Sequence, residues 1–76
     1  MTVDDELDAT GLLCPLPVLK AAKRLRAMAP GAVLKMLADD PAAVIDVPHF
    51  CNEQRYTLLS SESVEGLQTY LIQKPL

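Results

Sequence analysis

Two prolines, Pro15 and Pro17, separated by a single residue, constrain this chain more than any other feature. Proline is costly inside a helix but harmless in its first turn, where backbone N–H groups have no partner anyway. The pair therefore marks a helix start, and the apolar spacing that follows predicts a helix over 17–29. Val18, Ala22, Leu25 and Ala29 form its apolar stripe, widened by Leu19, Ala21 and Met28. Lys20, Lys23 and Arg24 cluster on the opposite face, with Arg26 at its flank. "APG" at 29–31 joins Pro and Gly as a helix stop.

The same punctuation divides the rest of the chain. "ELDATGLL" alternates Leu7, Ala9, Gly11 and Leu13 against Glu6, Asp8 and Thr10, the pattern of a half-buried strand ending at Gly11. "AVLKMLAD" at 32–39 is short and aliphatic enough for an interior strand. "DDP" at 39–41 starts a second helix, with Asp40 as cap and Pro41 at the first helical position. Val44, Val47, Pro48 and Cys51 share one face of it, and Pro48 should kink it or shorten a turn. "RYTLLSSE" and "LQTYLIQK" flank "SVEG", which reads as an antiparallel hairpin. The order is β-α-β-α-β-β. A right-handed crossover puts the first helix on one sheet face, and the stripe of the second should join it there. The fold class is α+β: a two-layer sandwich of a four-stranded mixed sheet with two helices on one face, Leu25 and Val44 both pointing inward.

A length of 76 residues means one domain, 1–76, near the small end of what folds alone. Net charge is −3, the pI is about 4.8, and the only aromatic rings are Phe50, Tyr56 and Tyr70. That balance argues against direct nucleic-acid binding, which wants a basic face or a stacking platform. "MTVDDELD" carries no secretory signal, and no apolar run reaches membrane-spanning length, so the expected location is the cytoplasm, away from membranes. There a pair of cysteines is more often buried, catalytic or metal-binding than disulfide-linked. Cys14, Cys51 and His49 are too few soft ligands, at no recognised spacing, for a metal, and no cofactor is expected.

Cys14 carries the chemistry. A thiol reacts as its thiolate, and a helix N-terminus offers N–H donors and a partial positive charge that favour an anion. Pro15 and Pro17 have no N–H, so the available donors are those of Leu16, Val18 and Leu19. The expected result is an exposed thiol of lowered pKa, just outside the helix. Lys20, Lys23 and Arg24 add positive potential one to three turns on, weakened by distance and salt. Their plain reading is a solvated helix face, and partner docking is the second reading. Cys51 reads as core packing and His49 as a surface or edge residue. No Cys-His or Ser-His-Asp arrangement can be assembled, and C-x-x-C is absent. A thiolate without an acid–base partner suits attacking, holding and passing on sulfur.

These residues resemble the TusA (SirA-like) sulfur-carrier family. Its mark is C-P-x-P after a first strand, here Cys14-Pro15-Leu16-Pro17, with apolar Leu16 at the variable position. "LDATGLLCP", "MAPGAVLKMLADDPAAVIDVPHFC" and "YLIQK" extend the likeness over nearly the whole chain. The resemblance implies a β-α-β-α-β-β sandwich and a sulfurtransferase whose motif cysteine, Cys14, accepts sulfane sulfur as a persulfide. It implies a cysteine desulfurase or rhodanese-like donor and a downstream sulfur-acceptor protein serving tRNA thiolation, cofactor synthesis or sulfur oxidation. The competing reading is a non-catalytic interaction or thiol redox-regulatory module, in which Cys14-Pro15-Leu16-Pro17 is only a rigid helix start.

Overall fold

A computed structural model describes residues 2–76. In chain order the elements are β1 (Asp5–Asp8), α1 (Leu16–Ala27), β2 (Val33–Ala38), α2 (Ala43–Gln54), β3 (Thr57–Val64) and β4 (Leu67–Gln73). They build a four-stranded sheet in the order β1-β2-β4-β3. β1 runs parallel to β2, with Leu7 opposite Met36, and β4 runs antiparallel to both β2 and β3. This is the mixed sheet and element order expected from the sequence.

Strand alternation decides which side chains meet the helices. Leu34, Met36 and Ala38 of β2 and Tyr70 and Ile72 of β4 are buried in one cluster with Ala21 and Leu25 of α1 and Ala43, Val47 and Cys51 of α2. Both helices therefore cover one face of the sheet. No helix among the described residues is long and apolar enough to cross a membrane.

The buried stripes differ from those expected. On α1 it is Pro17, Ala21 and Leu25; Val18 and Met28 pack only partly, Leu19 is exposed, and Ala29 lies past the helix end. On α2 it is Ala43, Val47 and Cys51, and Val44, expected inside with Leu25, is half exposed. Each stripe repeats every four residues, so a neighbour one residue along is turned about 100° away from the sheet. Small residues at Ala21 and Ala43 let the helices sit close to it.

Boundaries moved for local reasons. β1 ends at Asp8 rather than Gly11, because Asp8 Oδ1 accepts hydrogen bonds from Thr10 N–H (3.0 Å) and Thr10 Oγ1 (2.6 Å), closing a turn. Leu13 consequently points to solvent. α2 starts at Ala43, with Pro41 and Ala42 in a preceding turn. Pro48 lies on its exposed side, and the helix runs through it to Gln54. Arg55 then takes a left-handed conformation (φ 61°). The N–H of Tyr56 reaches Cys51 O at 2.8 Å and that of Arg55 reaches Asn52 O, a Schellman closure without glycine. Lys74 Nζ, beyond β4, donates to Met28 O (2.8 Å) and Arg26 O (3.2 Å), covering the open carbonyls at the end of α1. Glu65 and Gly66, both at positive φ, make the tight hairpin turn. In β3 the register slips between Leu58 and Ser60, leaving Leu59 as a bulge.

Candidate functional site

The loop from β1 to α1 and the loop from β2 to α2 leave the carboxyl ends of the two parallel strands side by side. Two aspartates join them. Asp39 Oδ1 accepts the N–H of Gly11 (2.9 Å), and Asp40 Oδ2 accepts the N–H of Cys14 (2.6 Å). The other oxygen of Asp40 accepts Ala42 N–H at 3.3 Å, closing the turn before α2; the helix begins after Ala42 without a side-chain cap, so Asp40 does not take the capping role expected of it. Asp40 is itself held. Its carbonyl accepts Gln68 Nε2 (2.9 Å), and Gln68 Oε1 accepts the hydroxyl of buried Tyr70 (2.6 Å). Gln68 is the one polar residue in the core of the described residues, with both ends of its amide bonded. Its strand-period phase with Tyr70 and Ile72 was the only sequence signal for it. A chain of hydrogen bonds thus runs from the core through Asp40 to the backbone of Cys14.

Cys14 is exposed. Its Sγ–H donates to Asp46 Oδ2, in the first turn of α2, at 2.9 Å. That contact reverses the expected pKa direction. The hydrogen bond to Asp46 is the largest cause raising the Cys14 pKa, followed by slight desolvation and the negative charges of Asp46 and Asp40. The helix donors expected to oppose this are largely spent: Leu16 N–H bonds Leu13 O at 2.9 Å and Leu19 N–H bonds Pro15 O at 3.1 Å. A neighbouring carboxylate outweighs the partial charge of a helix end. Sequence reasoning missed Asp46 because it lies 32 residues away, on another helix.

The thiol opens onto a groove of about 270 Å³ lined by Pro15, Val18, Asp46, His49, Phe50 and Glu53. His49 Nε2 lies 2.9 Å from Glu53 Oε1, both well exposed, so His49 pairs along α2 rather than with the thiol. Phe50 packs edge-on against Tyr56, ring centroids 5.5 Å apart. Pro15 and Leu16 are exposed beside Cys14, whereas Pro17 is buried and anchors α1. Cys51 is buried and free, its thiol pushed up to about 11 by desolvation.

The basic residues lie elsewhere. Lys20, Lys23 and Arg24 line a second groove, of about 630 Å³, with Leu7, Asp8 and Leu12. Arg24 is committed within the fold: Nη1 bonds Asp5 Oδ2 (3.0 Å) and Glu6 O (2.8 Å), holding the Asp5 carboxyl below its usual range. Only Lys20 and Lys23 remain as exposed cations on that face.

The sequence model described as Sulfurtransferase TusA matches residues 5–74. The chain belongs to the TusA family. Its members receive sulfur from a donor and pass it on, which is the role of a sulfur carrier. Among solved structures, the SirA-like protein of Desulfitobacterium hafniense is similar with a TM-score of 0.80 and 24% identity, covering 95% of this chain and 99% of that one. At that identity the likeness speaks for the fold. The TusA match spans both loops that meet at Cys14 and the whole of α2 with Asp46.

Proposed function

We propose that this chain carries sulfane sulfur as a persulfide on Cys14, with residues 1–76 working as one sulfur-carrier domain. The observation that carries the reading is the exposed thiol on a backbone fixed by Asp40, at the mouth of a groove, in a chain of the TusA family. A carrier must expose its sulfur to two partners in turn and hold it in a defined place. The loop is fixed from the core side, and the sulfur faces out.

The reaction is an exchange of one S–S bond for another. Cys14 Sγ attacks the outer sulfur of a donor persulfide. The donor's S–S bond breaks, the Sγ–S bond forms, and the donor cysteine leaves as a thiol. An acceptor thiol then repeats the step on Cys14. A cysteine desulfurase or a rhodanese-like protein supplies the sulfur, and a second thiol protein takes it on. Pro15, Leu16 and Pro17 set the helix start that presents the thiol. Exposed Leu13 and Leu16, next to Cys14 along the chain, and exposed Ile45, next to Asp46, give partners an apolar rim. Lys20 and Lys23 steer an acidic partner surface from the adjoining face.

Mass spectrometry after incubation with a cysteine desulfurase and cysteine tests this. The expected result is one added sulfur on Cys14, lost in Cys14→Ser and kept in Cys51→Ala. Serine is a far weaker nucleophile at neutral pH. Sulfur on Cys51, with loading that survives Cys14→Ser, refutes the proposal. A requirement for both cysteines puts a dithiol redox module in its place.

A further inference from the structure

We propose that Asp46 sets the direction of the relay, holding the empty Cys14 as a hydrogen-bonded thiol and repelling the loaded persulfide, so that the carrier gives its sulfur up readily. This rests on the reading of Cys14 as the persulfide residue.

The two states of the carrier present opposite faces to one carboxylate. Empty, Cys14 is a donor, its Sγ 2.9 Å from Asp46 Oδ2. Loaded, the Sγ has no proton, and the outer sulfur ends the side chain. A persulfide is more acidic than its parent thiol, so at neutral pH that outer sulfur is an anion. Loading at Asp46 therefore exchanges a hydrogen bond for a repulsion between like charges.

The surroundings do little to relieve it. From α2 the groups facing the groove are Asp46, His49 and Glu53, with His49 paired to Glu53. From the loop before α2, Asp40 adds a further negative charge that acts on Cys14. Pro15 and Val18, which line the groove from the α1 side, carry no charge. The resting thiol is correspondingly less acidic than an ordinary cysteine.

The step balances without an outside oxidant or reductant. A donor persulfide anion and the Cys14 thiol become a donor thiol and a Cys14 persulfide anion. The Cys14 proton passes through the Asp46 carboxylate to the departing donor sulfur, and one negative charge is conserved. Discharge to an acceptor thiol runs the same path backwards and restores the Sγ–H to Asp46 bond.

The test compares the full chain with Asp46→Asn, which keeps the size of the side chain and removes its charge. The first readout needs no sulfur: the rate of iodoacetamide alkylation of Cys14 against pH. The midpoint should fall in Asp46→Asn and return towards wild type in Asp46→Glu. The gain in rate at pH 7 should be several-fold, less than the gain in thiolate, because nucleophilicity falls with pKa. The second readout is Cys14 persulfide occupancy, by intact mass, at equilibrium with a fixed mixture of glutathione and glutathione persulfide. Occupancy should rise several-fold in Asp46→Asn, and discharge into glutathione should slow. A measurement without substitution supports these: added salt should speed alkylation of the wild-type thiol at neutral pH. An unchanged midpoint refutes the thiol–carboxylate contact. A shifted midpoint with unchanged occupancy refutes the directional role. Sulfur found only on Cys51 would instead overturn the reading of Cys14, and the alkylation result would stand apart from it.

Discussion

Raising the pH from 8 to 11 should weaken this protein through one buried atom, the sulfur of Cys51. The residue is 2% exposed within the core cluster, and burial moves its thiol from 9.0 to about 11. Below pH 9 the thiol is neutral in the folded and unfolded chains alike, and its contribution is fully present. Above pH 9 the unfolded thiol ionises while the folded one stays neutral, so stability falls as the pH climbs towards about 11. Each pH unit within that window is about 1.4 kcal/mol. The loss is then about 1 kcal/mol by pH 10 and about 2 kcal/mol by pH 11. A domain of this size holds only about 4–11 kcal/mol in all. Urea unfolding at pH 8, 9 and 10 under reducing conditions, on wild type and Cys51→Ala, isolates the effect. Tyr70, also pushed up by burial, and Cys14 lose stability in the same direction but are present in both proteins, so the difference between the curves cancels them. Wild type should converge on or cross Cys51→Ala as the pH rises. Parallel curves from pH 8 to 10 would refute the placement of a neutral thiol in the core.

Leu25→Ala should cost about 2–5 kcal/mol, because Leu25 is fully buried between α1 and the sheet; a change within ~0.5 kcal/mol in urea unfolding would place it outside the core. Reversing Lys20 and Lys23 together to Glu should slow association with the sulfur donor and flatten its salt dependence, leaving stability nearly unchanged. Equal association rates by stopped flow would make that face plain solvated surface.

The architecture was legible because proline and glycine divide the chain where its elements change. Pro17 and the "APG" stop bound α1 to within two residues, and the Glu65-Gly66 turn falls inside the expected hairpin. The helical faces were less legible. Val44 and Val47 are equally apolar, and only packing against the sheet selects Val47 and leaves Val44 half exposed. At the site, a thiol at a helix start was readable from Cys14-Pro15-Leu16-Pro17, but its chemistry was not. The groups that govern it, Asp40 and Asp46, come from a loop and a helix 26 and 32 residues on. Nothing local to Cys14 announces a carboxylate that reaches it through the fold. Gln68 was hidden for the same reason: Tyr70 lies two residues along its own strand, but Asp40, 28 residues away, becomes its partner only once β4 is seated beside β2.

The slip in β3 at Leu59 has a consequence for how molecules of this protein meet. β1 and β3 are the outer strands, and each leaves one row of backbone groups without a partner strand. Such rows can recruit a strand from another chain and begin edge-to-edge aggregation. β1 offers only four residues, Asp5–Asp8, three of them acidic. β3 is longer, but the bulge breaks its ladder after Leu58, and Ser60, Ser61, Glu62 and Ser63 follow, all exposed. An incoming strand would find no long, flat, apolar edge on either side. Both rims of the sheet resist accretion, and the domain can keep its apolar surface beside Cys14 open without its sheet edges promoting self-assembly.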